Sequence, residues 1–212
     1  MKLYVYEHCP FCVRARMIFG FKGVDFELKI IMEADIETPT KMIGKKMVPI
    51  LEKDDGSYMA ESMDIVHYVD QLDMPILTEP HDKEISKWED THQDTIYNLA
   101  VPRFTKGDFK ELSTDEARDY FTKREEKAFG DLEALVAKSD SFISEIDNAL
   151  KNLEPLLNER AIDSFDISDI TLYPLLWALS IVDGIHFPIE VRNYMDRVSR
   201  VSGVPLLFSQ KM

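Results

Sequence analysis

A chain of 212 residues, 45% of them hydrophobic, is long enough for one large domain or two small ones, and folding at that size buries roughly 70% of the unfolded surface, enough for a core without metal or disulfide staples. The formal net charge of −14 argues against nucleic-acid binding, which needs a basic footprint to meet phosphates. The longest apolar stretch, around Leu172 to Val182, is far short of the ~20 residues of a membrane-spanning helix, and Glu7 and His8 come too early for the apolar segment of a secretory signal.

The first 72 residues alternate strands and helices. Lys2 to Tyr6 reads as a strand, and Val13, Met17 and Ile18 then carry helical spacing, with Gly20 and Gly23 near the helix end. Phe26 to Ile31 is a second strand. A helix between two strands predicts a parallel βαβ unit with a right-handed crossover. Thr38-Pro39 is expected to open a short helix, with Pro39 at its first position and Gly44 near its end. Val48 to Leu51 is a third strand. Asp54-Asp55-Gly56 signals a turn, and Ser57 to Met59 returns as a fourth. Glu61-Ser62 opens a helix whose inner face is expected to carry Ile65, Val66, Val69 and Leu72.

Residues 73–83, with Pro75 and Pro80 and no period, read as a linker. It divides the chain into residues 1–72 and an all-helical remainder, 84–212. Ile85, Trp88, Ile96 and Leu99 hold helical spacing up to Pro102, which should kink or break the helix. Ser113-x-x-Glu116 reads as a capping box. Asp166-x-x-Asp169 resembles the same device ahead of Ile170 to Val182, a helix apolar all round and therefore expected in the middle of its domain. Pro188 fits the first turn of a last helix with Val191, Tyr194, Met195 and Val198 inward. Residues 1–72 hold 9 of the 25 basic and 12 of the 39 acidic side chains, a net of −3, so most of the −14 sits on the helical part. The first part therefore accepts an anionic ligand more easily than the whole-chain charge suggests.

Cys9 and Cys12 are the two cysteines, spaced C-x-x-C. A secreted disulfide scaffold would spread more of them along the chain, and a zinc site needs two further ligands, of which His8 offers one at most. The pattern points to redox chemistry in a cytoplasmic protein, with no metal. Cys9 falls where a strand ends and a helix begins, so unpaired N–H groups and the helix dipole favour its thiolate and lower its pKa from about 8.5 into a range of roughly 3.5 to 7.5. Pro10 fits the first turn. Cys12, one turn on, lies on the same face. Cys9 is expected to attack and Cys12 to resolve the mixed disulfide. Arg14 and Arg16 either support the thiolate or occupy solvated helix positions. His8 is expected as an exposed loop residue rather than a tuner of Cys9, His67 as a satisfied structural histidine, and Trp88, Trp177 and the methionines as core.

Cys9-Pro10-Phe11-Cys12 after a first strand resembles the active site of glutaredoxins. Met47-Val48-Pro49-Ile50 resembles that family's strand-entry motif, whose proline follows a cis peptide bond. Glu61-Ser62 with Met63-Asp64-Ile65 resembles the glutathione-binding turn of glutathione transferases. The helical second part, with Asp166-Ile167-Ser168-Asp169, resembles the transferase C-terminal domain. Together these motifs resemble the bacterial glutaredoxin 2 family over the full length.

That resemblance implies an α/β thioredoxin-like N-terminal domain followed by an all-α glutathione-transferase-like C-terminal domain. It implies a glutathione-dependent thiol–disulfide oxidoreductase acting on disulfide-bonded or glutathionylated proteins, monomeric and without stable membrane association. Val48 would pair its backbone with the cysteinyl part of glutathione, next to Pro49. Glu61 and Ser62 would hold the γ-glutamyl end. Lys41, Lys45 and Lys46 are all candidates for the glycine carboxylate. Phe11 departs from the usual tyrosine, losing a hydroxyl beside the thiols and keeping the aromatic surface. Two alternatives share the plan. An omega-type transferase also uses a cysteine here, but conjugation needs no Cys12. A non-enzymatic chloride-channel-like protein would insert a long apolar first helix, which Arg14, Arg16 and Lys22 interrupt.

Overall fold

The computed structural model describes residues 1–77, 82–158 and 165–212. Four strands form a mixed sheet: β1 (Lys2–Val5), β2 (Glu27–Ile30), β3 (Ile50–Glu52) and β4 (Tyr58–Ala60), in the order β2-β1-β3-β4. β1 and β2 run parallel, Leu3 against Leu28, so α1 (Pro10–Lys22) is the crossover helix of a βαβ unit, as expected. β3 pairs antiparallel with β1, and β4 antiparallel with β3, Ile50 against Ala60. In β1 the side chains alternate: Leu3 and Val5 are buried, while Lys2 and Tyr4 both reach Glu52 on the opposite face, at 2.8 and 2.7 Å.

α2 (Glu37–Ile43) begins earlier than the sequence suggests and places Pro39 third. A proline is tolerated there because the first four helical N–H groups have no intrahelical partner. Gly44 ends the helix in the left-handed conformation, φ 77°. α3 (Ser62–Asp70) buries Ile65, Val66 and Val69, but it stops before Leu72, which is exposed, and His67 faces solvent rather than the core.

Helices then follow to the C-terminus: α4 (Lys83–Phe104), a 3-10 turn at Lys110–Leu112, α5 (Asp115–Phe129), α6 (Leu132–Ala137), α7 (Ser139–Asn158), α8 (Ile167–Leu179) and α9 (Ile189–Ser202). α4 runs two residues past Pro102 instead of breaking at it, and Pro155 and Pro174 also lie inside helices. An interior proline costs about 3 kcal/mol, which the burial around Val101, Phe104 and Leu175 offsets. Thr114, not Ser113, caps α5, accepting from the Ala117 N–H at 3.2 Å; Ser113 closes the preceding turn. Pro80 lies outside the described residues.

α8 is the centre of the helical domain. Every residue of it except Thr171 is buried, and it packs against α1, α4 and α9. The expected capping box is present: the Ser168 N–H donates to Asp166 at 2.7 Å and the Asp166 N–H to Asp169 at 2.9 Å. Asp166→Ala is expected to cost about 1 kcal/mol and to lower the melting temperature by roughly 2–4 °C, as a thermal melt will read; an unchanged melt would mean that water replaces the cap at no cost.

α1 holds the two domains together. It packs on α3 in its own domain and on α8 and α9 in the other. Cys12, Val13, Ala15, Met17, Ile18 and Phe19 are all buried, more than one amphipathic stripe. Gly20 lets α9 approach closely: a Cβ at this position would stand 2.2 Å from the Ser202 carbonyl oxygen.

Candidate active site

Cys9 is the N-cap of α1, in extended conformation (φ −88°, ψ 116°), and Pro10 opens the helix. The Cys12 N–H donates to the Cys9 Sγ at 3.3 Å, as an N–H donates to the oxygen of an ordinary capping residue. Cys9 is partly exposed and Cys12 fully buried; both are free thiols.

The pair divides its proton unequally. Cys9 is held below the usual thiol range, chiefly because the Cys12 thiol donates to it, helped by the N–H groups of Cys12 and Phe11 and the charge of Arg124, against the cost of burial. Cys12 is pushed well above that range by burial, by donating its own proton to Cys9, by the Cys9 charge and by Glu111. The arrangement favours ionisation at the partly exposed Cys9 sulfur and keeps the proton on Cys12 beneath it.

Between the domains lies a cavity of about 350 Å³ that Cys9, Phe11, Lys46 and Val48 line from the first domain, and Tyr97, Phe121 and Arg124 from the second. Cys12, Pro49, Glu61 and Ser62 do not line it. The Val48–Pro49 peptide bond is cis. Because Ile50 pairs with Ala60, the residues just before β3 and just after β4 are neighbours, so Pro49 and Glu61-Ser62 share one end of the sheet. Glu61 has φ 68°, rare for a residue with a side chain, and Ser62 behind it is buried. Among the candidate lysines, Lys41 pairs with Glu37 and Lys45 with Glu61, both at the surface. Lys46 sits at the cavity, 2.8 Å from Glu33 and over the Tyr120 ring. Arg14 stacks over the exposed Phe11 ring at 5.0 Å.

His8 is not an exposed loop residue. It is 4% exposed, stacked on Tyr6 and packed among Phe104, Phe109 and Phe121. Its ring lies between two fully buried carboxylates, with Nδ1 2.7 Å from Glu111 and Nε2 3.6 Å from Glu33. Glu33 also meets Arg124 at 2.9 Å. These groups come from positions 8, 33, 46, 111 and 124; His8 adjoins Cys9 and Lys46 adjoins Met47-Val48-Pro49-Ile50, whereas no motif marks Glu33, Glu111 or Arg124. Among the described residues no group of three or more histidines, cysteines and carboxylates has the form of a metal site.

The family model for the C-terminal domain of glutaredoxin 2 matches residues 84–211, and a glutathione S-transferase N-terminal domain model matches residues 3–77. Glutaredoxin 2 of Escherichia coli K12 is 44% identical over 212 residues, 99% of each chain. The chain belongs to the glutaredoxin 2 family. Glutaredoxins are glutathione-dependent thiol–disulfide oxidoreductases, and this chain is one of them. A solved structure of Salmonella typhimurium glutaredoxin 2 in complex with glutathione superposes with a TM-score of 0.96 at 44% identity, covering 100% of this chain and 98% of that one. A glutathione transferase from Phanerochaete chrysosporium, 17% identical over 94% of this chain and 96% of its own, has a TM-score of 0.75 and shares the fold. A thioredoxin-like domain followed by a helical transferase-like domain is thus the architecture of this glutaredoxin.

Proposed function

We propose that the dithiol reduces protein disulfides and glutathione mixed disulfides, with Cys9 as nucleophile, Cys12 as resolving thiol and glutathione as reductant. The observation that carries this is the Cys9 sulfur at the start of α1, accepting from the Cys12 N–H while Cys12 stays buried and protonated. Cys9 thiolate attacks a disulfide sulfur, the S–S bond breaks, and the departing thiolate takes a proton. Cys12 then yields its proton and attacks the Cys9 sulfur, releasing the second thiol. Two glutathione molecules return the pair to dithiols and leave as glutathione disulfide, which balances the electrons. Reduction of a glutathionylated protein with glutathione as the sole reductant tests the proposal, and no turnover under those conditions would refute it.

Glutathione fits the edge next to Cys9. The Val48 backbone precedes β3 without joining the ladder, and Pro49 donates no N–H there. Val48 is proposed to pair with the cysteinyl part of glutathione, beside Pro49. Glu61 supplies a negative charge for the γ-glutamyl ammonium. Ser62, the first residue of α3, offers a hydroxyl and free N–H groups to the γ-glutamyl carboxylate. The left-handed Glu61 costs on the order of 1–3 kcal/mol, and such backbone persists at ligand clamps. A hydrogen bond to a charged group contributes roughly 1.5–3 kcal/mol, so Ser62→Ala is expected to raise the KM for glutathione about tenfold. Normal glutathione kinetics in that variant would reduce Glu61-Ser62 to a helix start.

The domain division at residues 73–83 is our reading, supported by family models that meet around it. A reducing cytoplasm suits a free dithiol, and among the described residues no helix is long and apolar enough to cross a membrane. One chain supplies both walls of the cavity, which supports action as a monomer on disulfide-bonded or glutathionylated proteins.

A further inference from the structure

The His8–Glu111 pair is buried next to the dithiol, and the thiol–disulfide steps do not use it. The segment from Tyr6 to Cys9 leaves β1 and must set a sulfur at the start of α1, yet its own hydrogen bonding is thin: the Cys9 N–H reaches the Tyr6 carbonyl only at 3.5 Å. The helical domain supplies the rest. The Lys110 N–H donates to Glu7 at 2.9 Å. Glu111 Oε1 accepts from the His8 N–H at 2.9 Å and lies 2.7 Å from His8 Nδ1. The Glu111 carbonyl accepts from the Glu33 N–H at 3.1 Å. One carboxylate oxygen thus holds both the main chain and the ring of the residue preceding Cys9. That contact gives the Nδ1 proton to the Glu111 bond and turns Nε2 toward Glu33.

We propose that Glu111, contributed by the helical domain, is a positioning residue for Cys9: it fixes His8 through main chain and ring together, and so the place of the sulfur at the helix N-terminus. This rests on Cys9 being the reacting thiol. Stabilisation of a thiolate by N–H donors depends on distance and direction, so an anchor one residue away controls it. Glu111 Oε2 is buried with no hydrogen-bond partner, so the carboxylate is held for the contacts of its other oxygen. The charged groups facing the pair are Glu33 with its partners Lys46 and Arg124 on one side, and Glu7, Lys110 and Arg16 on the other.

Position and charge act in opposite directions here. The Glu111 charge alone disfavours a nearby thiolate, so if it acted only as a charge its removal would shift Cys9 ionisation to lower pH. If it acts as an anchor, removal shifts ionisation to higher pH. The test is the pH dependence of Cys9 alkylation by iodoacetamide, with the modified cysteine identified by peptide mapping. In the wild type the acid-shifted thiol must map to Cys9; a map to Cys12 refutes the assignment of the reacting thiol itself, an outcome distinct from any result in the Glu111 variants. Glu111→Leu is expected to move the Cys9 midpoint up by about one pH unit, about tenfold in rate at pH values below it, with the plateau at high pH unchanged. Glu111→Gln keeps an acceptor oxygen for both His8 donors and should restore the midpoint. A midpoint in Glu111→Leu that stays in place or falls overturns the proposal, as does a Gln variant that shifts as far as Leu. If Glu111→Leu does not fold, His8→Phe carries the test, since it keeps the aromatic packing and deletes only the ring donor. There the midpoint is expected to rise by about half a pH unit, about threefold in rate below it, and an unmoved midpoint is the overturning result.

Discussion

Cys9→Ser is expected to abolish turnover with every substrate, by on the order of a thousandfold or more, as loss of a catalytic nucleophile does. A serine hydroxyl at the same helix start is not ionised near neutral pH and attacks sulfur poorly. Cys12→Ser should separate two reactions. Reduction of a protein disulfide through the dithiol stops, because no second thiol releases the product. Reduction of a glutathione mixed disulfide continues, because a second glutathione resolves the Cys9 adduct. The Cys12 side-chain donor is also the largest support of the Cys9 thiolate, and a serine hydroxyl still offers an O–H donor there, so the pH dependence of the surviving activity should change little. Parallel assays on a protein disulfide and a glutathione mixed disulfide read both effects, and equal loss in the two variants would mean that the roles are misassigned.

Gly20→Ala should cause the largest loss of stability of any single methyl added to α1. The new carbon would stand 2.2 Å from the Ser202 carbonyl oxygen and 2.6 Å from its Cα. Those are backbone atoms at the end of α9, so no side chain can turn aside and one helix must move. Alanine's better helix propensity, worth about 1 kcal/mol over glycine, works the other way. Overpacking costs typically 1–3 kcal/mol and occasionally more; a clash with backbone belongs at the upper end, so a net loss of about 2 kcal/mol is expected. In a chain of this size that is a fall of roughly 4–8 °C in melting temperature. A melt within a degree of the wild type would show that α9 yields freely and that the close approach is not a constraint.

The dithiol and the order of elements in residues 1–72 were legible because local chemistry specifies them. A C-x-x-C pair between a strand and a helix, a proline in the first turn, and an aspartate pair three apart all act within one turn of chain. The same logic found the Asp166 cap and the inward face of α9. It misjudged features that the tertiary structure decides. Pro102 remains helical because its neighbours are buried, and Thr114 displaces Ser113 as a cap because the 3-10 turn takes Ser113 for its own end. Leu72 looked like the last member of an apolar face and instead lies beyond the end of its helix. His8 looked like a loop residue because nothing near it in sequence could bury it. The carboxylates around it stand at positions 33 and 111, and no periodicity within either segment shows that they meet.

The helix that carries the dithiol touches its own domain on one side and α8 and α9 on the other. A helix advances about 100° per residue. One residue inserted or deleted midway through α1 would swing every later side chain by that angle, taking Met17, Ile18 and Phe19 out of both cores and moving Gly20 off Ser202 in the same stroke. A loop can absorb such a change, but a rod wedged between two bodies cannot. The spacing from Cys9 to Gly20 is therefore a ruler shared by both halves of the molecule, its length held from two sides at once.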